Sequence, residues 1–145
     1  MKLTPTNKRK AGMTLLELTV VILVLLSLIS ILFIGARAWK KGSDRAASIL
    51  QIRNVQQAVR SYANMNGKNP GDTSAIAKTD IFGEGKFITN DPTATTAKHP
   101  AGSKFKYTID APTTVPEIGV LYMEVTGATE EDDASEYMPT EIGDW

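Results

Sequence analysis

The chain has 145 residues, enough for one small domain together with one apolar segment. It has no cysteine, so a disulfide scaffold and a thiolate metal site are both excluded. Its 16 basic and 16 acidic residues cancel, but all basic residues lie at or before Lys106 and ten acidic residues lie at or after Asp110, which is not the pattern of a nucleic-acid-binding protein.

Residues 1–12 form a basic leader without acidic residues, and residues 18–36 carry no charge at all. As a helix with a rise of about 1.5 Å per residue, residues 18–36 would be about 28 Å long, close to the ~30 Å hydrocarbon thickness of a bilayer. We therefore predict a membrane-spanning helix within residues 13–36, with the basic leader holding its N-terminal end in the cytoplasm.

Glu17 lies at the edge of this apolar stretch, where an unpaired carboxylate costs free energy in lipid. One interpretation is that Glu17 simply marks the membrane surface. The other is that it meets a cation inside an assembly, and an α-amino group created by cleavage after Gly12 is the best candidate. On a helix, Glu17 would lie about one turn from Met13, within reach of its own terminus or that of a neighbour.

The sequence GMTLLE, which runs from Gly12 to Glu17 after a basic leader and before an apolar run, resembles the class III signal peptide of type IV pilins and type II secretion pseudopilins. The resemblance implies that a prepilin peptidase cleaves between Gly12 and Met13 and methylates the new N-terminus of Met13. It also implies that Glu17 is the carboxylate that docks subunits. The resemblance covers about residues 8–71. Within it, Met13 replaces the usual phenylalanine, and the mid-helix proline of many members is missing.

This resemblance implies a structural, non-enzymatic subunit of a type II secretion pseudopilus. Such a subunit is held in the bacterial inner membrane by one span, with its C-terminal domain in the periplasm. It then assembles with itself and other pilin-like subunits on an inner-membrane assembly platform. A type IV pilus subunit for adhesion, motility or DNA uptake is the alternative within the family. An anchored binding module that never polymerises is the alternative from another class.

Two other interpretations of the apolar stretch are weaker. Ala36-Arg37-Ala38 fits the cleavage site of a secretory signal peptide, but the apolar run exceeds the usual length of about 7–15 residues. An uncleaved single-pass anchor needs the same hydrophobic length, and only the order of residues from Gly12 to Glu17 argues against it.

Residues 37–66 change from wholly apolar to amphipathic. Apolar side chains recur at spacings of three or four, which places them on one helical face: Ile49, Ile52, Val55, Val59 and Tyr62. No proline interrupts residues 13–66, so we predict one continuous helix through Gly35 and Gly42. Gly67 or Asn66 should end it in a left-handed cap, and Pro70 blocks its continuation.

Residues 67–145 should form a small C-terminal globular region. We predict a short helix over residues 73–79, a loop over residues 90–100, and two strands over residues 104–109 and 118–125, followed by an irregular acidic tail. Phe105, Tyr107 and Ile109 alternate onto one strand face. The expected fold class is α+β, with a long N-terminal helix packed on a small antiparallel sheet, as the pilin resemblance implies.

The side chains give little support for catalysis or cofactors. The one histidine, His99, precedes a proline without a nearby nucleophile pattern, so we expect a surface residue. Calcium is the one cofactor considered, because four carboxylates of the tail can supply oxygen ligands: Glu130, Asp132, Asp133 and Glu136. Major pseudopilins often bind calcium in their C-terminal loop, but the positions do not transfer, and a solvated charge run is the commoner outcome.

Charge distribution suggests a further contact within an assembly. Lys40, Lys41 and Arg45 follow the apolar stretch, whereas the C-terminal region is acidic. Stacked subunits would bring the acids of one copy near the bases of another and so fix their register.

Overall fold

The computed structural model describes Gly12 and residues 14–109, 114–130 and 132–143. Its first element is the helix α1, Leu15–Met65, which has 51 residues and runs without a break. The prediction of one continuous helix through Gly35 and Gly42 is therefore confirmed. A Lys40–Asp44 ion pair of 2.6 Å joins positions i and i+4 on either side of Gly42, which supports the helix at that point.

Both ends of α1 are capped by local sequence. At the start, the Thr14 hydroxyl accepts a hydrogen bond from the Glu17 N–H at 3.2 Å, as an N-cap residue does. At the end, Gly67 adopts a left-handed conformation with φ +64°, as predicted. The Lys68 N–H then donates to the Ala63 carbonyl at 2.9 Å, which completes a Schellman motif.

The chain divides into two compact units, the N-terminal unit Met1–Trp39 and the C-terminal unit Lys40–Trp145. In the N-terminal unit, the apolar side chains of α1 are exposed. In the C-terminal unit, one face of α1 is buried, at Ser48, Ile52, Val55, Gln56, Ala58, Val59 and Ala63. The predicted apolar face is confirmed at its centre, while Ile49 and Tyr62 at its two ends are only half-buried.

The core of the C-terminal unit forms where later segments cover this face of α1. Its fully buried members outside α1 come from five separate segments and include Ile76, Ile81, Phe105, Val115 and Met123. Because α1 supplies residues at spacings of three and four, its buried side chains lie on one stripe and belong to the same hydrophobic cluster as these residues. The core therefore depends on long-range contacts to a single helix.

The second helix, α2, is Lys78–Ile81, so the prediction of a helix over residues 73–79 is wrong in position. Asp72 accepts a hydrogen bond from the Asn69 N–H at 2.6 Å and closes the turn after α1. Asp80 accepts from the Ala77 N–H at 3.2 Å at the start of α2. Each carboxylate thus serves a turn, and the helix begins later than its sequence suggests.

The sheet has two antiparallel strands, β1 Lys106–Thr108 and β2 Glu124–Thr126, with Tyr107 opposite Val125. An α+β arrangement with a small antiparallel sheet is confirmed, but both strands are shorter than predicted. Residues 118–121 do not extend β2, because the Val120 N–H donates to the Glu117 carbonyl at 3.1 Å in a turn where Gly119 has φ +84°. Phe105 and Tyr107 are buried as predicted, and Ile109 is half-buried.

The described part of the acidic tail is not wholly irregular, which corrects the prediction in part. It contains a 3₁₀ helix, η1 Ala134–Tyr137, and the Asp133 carboxylate accepts from the Ser135 N–H at its start. Gly127 precedes it with φ +122°, and a Cβ there would overlap the Lys104 carbonyl. Only glycine fits this close approach, so Gly127 fixes the path of the chain into the tail.

Candidate functional site

The predicted processing and docking positions lie at the start of α1. Gly12 is exposed, Met13 lies outside the described residues, and Glu17 is exposed in the first turn of the helix. Among the described residues, the Glu17 carboxylate forms no ion pair. A negative charge in this turn is favoured by the partial positive charge at the helix N-terminus. Glu17 therefore lies at an exposed position in the first turn of α1.

Thr14 gives this site a feature that the sequence interpretation missed. Thr14 and Glu17 have the Thr-x-x-Glu spacing of a capping box, and the Thr14 hydroxyl does accept the Glu17 N–H. The Thr-x-x-Glu spacing was the sequence signal that could have predicted this N-cap. Thr14 thus has a local role in helix initiation, and the bond it accepts comes from the backbone of Glu17, so it does not involve the carboxylate.

The apolar part of α1 presents a continuous hydrophobic surface. None of its most apolar 18-residue stretch is buried, and by length and composition α1 is able to cross a membrane. Leu23 is 68% exposed and Phe33 is 66% exposed. An exposed apolar surface of this size marks a site of membrane or protein contact.

The hydroxyl groups on this surface are satisfied within the helix. The side chains of Thr19, Ser27 and Ser30 each donate to a backbone carbonyl of the preceding turn at 2.8 Å. An unpaired polar group in hydrocarbon costs on the order of several kcal/mol. Because these three hydroxyl groups are hydrogen-bonded within the helix, they add little to the free-energy cost of placing the segment in an apolar environment. The surface therefore suits lipid or other apolar helices equally well.

Trp39 closes the N-terminal unit. It is 78% exposed and follows the apolar stretch by three residues, close to Arg37 in the sequence. Tryptophan and basic residues are enriched where membrane-spanning helices enter the headgroup region. Their order here matches the expected exit of α1 from a bilayer.

Two carboxylates of the C-terminal tail pair with one lysine. The Lys41 ammonium on α1 pairs with Asp132 and also with Glu136, the latter at 2.7 Å. The Tyr137 hydroxyl donates to Asp132 at 2.8 Å. These hydrogen bonds to Asp132 and Glu136 raise the pKa of Lys41 well above its usual range, and the Lys41 bond lowers the pKa of Asp132. Burial, together with the bond to Asp132, raises the pKa of Tyr137 to about 12.

The predicted calcium ligands are not brought together. Asp132 and Glu136 face Lys41, Asp133 caps η1, and Glu130 is exposed. Within the described ranges, no group of three or more histidine, cysteine or acidic side chains is placed to hold a metal ion. Two of the four carboxylates share Lys41 and a third caps η1, so the four do not form the calcium site considered from the sequence.

The bases expected to reach another subunit already have partners in their own chain. Lys40 pairs with Asp44, and Lys41 pairs with the tail. At these two positions, the basic side chains therefore pair with acidic side chains of the same chain.

His99 is only 4% exposed, which corrects its assignment to the surface. Its Nε2 lies 3.1 Å from the Ser48 hydroxyl, which itself donates to the Tyr137 carbonyl at 2.9 Å. Its Nδ1 accepts from the Ala101 N–H at 3.1 Å. All three bonds are satisfied by a neutral imidazole with its proton on Nε2. Ser48 on α1 thus holds both the loop of His99 and the tail at Tyr137, and its contact with His99 is buried from solvent.

Burial lowers the pKa of His99, and the nearby Asp44 carboxylate opposes that shift. The imidazole packs against three aromatic rings, with centroids at 4.7 Å for Tyr107, 5.5 Å for Tyr137 and 5.6 Å for Phe105. The apolar surroundings favour the neutral form. Ser48 on the buried face of α1 was the signal that a polar partner had to lie opposite.

Gln56 is a second structural residue that the sequence interpretation missed. It is 3% exposed, and its carboxamide donates to the Val120 carbonyl and accepts from the Tyr122 N–H, both at 2.9 Å. The side chain thus supplies both hydrogen bonds that a neighbouring strand would give. It joins α1 to the segment before β2 where the sheet itself does not continue.

Comparison with known proteins identified no relative of this chain. No family model, curated protein or solved structure matches the chain. The residues and their geometry alone therefore support the function proposed below.

Proposed function

We propose that the chain is a structural subunit of a type II secretion pseudopilus or a closely related type IV pilus-like filament. Before assembly, it is anchored in a bacterial inner membrane with the C-terminal unit on the periplasmic side. After removal of residues 1–12, it polymerises through the apolar part of α1.

One observation carries this proposal. An apolar helical surface without internal partners begins directly after the GMTLLE sequence, and its one carboxylate, Glu17, lies exposed in the first turn. An ordinary anchor requires the apolar surface alone. A glycine followed five positions later by a carboxylate is the order that the prepilin resemblance associates with cleavage and docking.

The chemistry of docking follows from charge and burial. Cleavage between Gly12 and Met13 creates a cationic amine close to the N-terminus of α1. In a bundle of apolar helices, the Glu17 carboxylate of an adjacent subunit gains a charge-assisted hydrogen bond to that amine. The low dielectric of such a bundle strengthens the attraction, and both charges are otherwise costly there. The pair therefore favours one stagger of neighbouring helices.

A membrane-anchored binding module that never polymerises is the second candidate. The exposed apolar stretch of α1 favours it, because an anchor needs only a helix that is long and apolar enough to cross a membrane. Under this alternative, the charge of Glu17 matters little beyond helix initiation.

Replacement of Glu17 separates the two candidates. Glu17→Gln removes the charge but keeps the length of the side chain and the backbone N–H that Thr14 accepts. We expect Glu17→Gln to insert into the membrane at normal levels and to lose filament formation, measured by in vivo crosslinking and by shearing of filaments from cells. Thr14→Ala is the matched control, because it removes the cap and leaves the charge. Normal filaments in Glu17→Gln, or an equal defect in both variants, would contradict the docking role.

A further inference from the structure

Lys41 occupies the centre of the acidic tail. Its ammonium contacts two carboxylates, Asp132 and Glu136, which come from positions just before and within η1. Both lie more than 90 residues away in sequence, so the contact closes a long stretch of chain onto the first turn of the C-terminal unit. The Lys41 side chain is 43% exposed and that of Asp132 is 20% exposed.

A second connection lies on the same face of α1. Ser48 follows Lys41 by seven residues, which is about two helical turns. Its hydroxyl donates to the Tyr137 carbonyl, while the Tyr137 hydroxyl donates to Asp132. Residues 132–137, called here the tail segment, are therefore held to α1 at two points. At one of these points, the Lys41 ammonium supplies the positive charge that pairs with Asp132 and Glu136.

We propose that Lys41 is the built-in cation of the tail segment and does the work that a bound calcium ion does in the pseudopilins that this chain resembles. The attachment of the tail segment to α1 is then independent of calcium. It depends instead on a covalently tethered ammonium that reaches two carboxylates at once.

The geometry favours an ammonium over a divalent ion at this place. Calcium takes about six to eight oxygen ligands, whereas two carboxylates of the described residues, Asp132 and Glu136, meet here. Asp132 already accepts from Tyr137 and pairs with Lys41, whereas Asp133 caps η1 instead of joining them. A calcium ion would also lie beside the positive charge of Lys41. An ion pair with one member on α1 needs no ligand from solution, but it is screened by salt.

Three variants of the full-length chain in detergent micelles test this proposal. Lys41→Met removes the charge and keeps the apolar stem, Lys41→Arg keeps the charge, and Lys40→Met is the matched control because Lys40 pairs only with Asp44 in its own helix. Hydrogen exchange at the amides of residues 134–138 reports the docking of the tail segment. Thermal unfolding in EGTA and in millimolar calcium chloride, at matched ionic strength, reports metal dependence.

We expect the melting temperature of the wild-type chain to be the same in EGTA and in calcium chloride. Lys41→Met should accelerate exchange in the tail segment about three- to tenfold, as expected for the loss of a partly exposed ion-pair network. Lys41→Arg and Lys40→Met should leave it near the wild-type rate. A calcium-induced rise in the wild-type melting temperature would overturn the proposal, and so would equal exchange in Lys41→Met and Lys40→Met. Neither result bears on filament formation, which the Glu17 variants test separately.

Discussion

The two units of this chain use the same helix in opposite ways. In the N-terminal unit, Ile22 and Ile29 are 46% and 48% exposed, whereas Ile52 in the C-terminal unit is 1% exposed. Residues from the later segments and the tail cover α1 around Ile52, and no described residue covers the apolar stretch. The difference teaches that the C-terminal unit carries its own core, while the described part of the N-terminal unit leaves its apolar side chains exposed.

The comparison is tested most strongly by making one substitution in both units. Ile52→Ala should lower the free energy of unfolding of the C-terminal unit by about 2–5 kcal/mol, because it opens a cavity in a packed core. Ile29→Ala should leave that free energy unchanged within about 0.5 kcal/mol. Urea unfolding followed by near-ultraviolet circular dichroism, which reports the packed tyrosines, measures both. Equal effects would mean that the two stretches of α1 are not distinct in packing.

The role of Gln56 sharpens the account of how α1 holds the C-terminal unit. Gln56→Leu keeps the approximate volume but leaves the Val120 carbonyl and the Tyr122 N–H without the bonds that the carboxamide gave them. We expect a loss of about 1–3 kcal/mol in the free energy of unfolding. Gln57→Leu, at the adjacent exposed position, is the control and should be nearly neutral. If both variants match the wild type in urea titrations, the carboxamide bonds do not stabilise the fold.

Acid should weaken the C-terminal unit through His99. Its pKa is lowered by burial, so between the unfolded value of about 6.5 and the lower folded value the unfolded state binds more protons. This contribution to stability is complete above about pH 6.5 and is lost as the pH falls through that window, with a slope of at most about 1.4 kcal/mol per pH unit. Asp132, whose pKa is also lowered, loses its contribution only at more acidic pH.

Urea unfolding midpoints at pH 7 and pH 5.5 measure this effect. His99→Gln, which does not titrate, should reduce the difference between the two midpoints. An unchanged pH dependence in His99→Gln would show that another group is responsible.

Trp39 gives the smallest and most local effect. In a Trp145→Phe background, Trp39 is the one remaining indole, and we expect it to lie in the headgroup region of a bilayer. Its fluorescence in lipid vesicles should be quenched most by lipids brominated near the glycerol backbone, and less by lipids brominated at the chain ends. Maximal quenching by the chain-end label, or access to aqueous iodide equal to that of free tryptophan, would contradict this placement of the membrane exit.

The sequence predicted the parts of the fold that repeat locally. The continuity of α1, its buried face at Ile52, Val55 and Val59, and its glycine cap all follow from spacings of a few residues. The two strands also followed from alternation, although their lengths did not, and their antiparallel pairing was an expectation from the pilin resemblance. A turn at Gly119 and the bonds from Gln56 shorten β2, and neither is visible in a local hydrophobic pattern.

The tail could not be predicted, because its structure depends on residues far away in the sequence. Acidic residues such as Asp132 and Glu136 suggest a solvated run until Lys41 is known to lie between them. The sequence likewise predicts an exposed loop position for His99, whereas in the structure Ser48 and the aromatic rings enclose it. In both cases, the missing information is which distant polar group satisfies a buried or charged one.

The proposed filament function requires that proteolysis after Gly12 creates a new amino terminus at the start of the apolar helix. Mass spectrometry of the chain recovered from the membranes of a host with a prepilin peptidase tests this directly. The account predicts a mature protein that begins with N-methylated Met13 and lacks residues 1–12. A protein that still begins at Met1 in the presence of an active peptidase would contradict it and would leave a membrane anchor in its place.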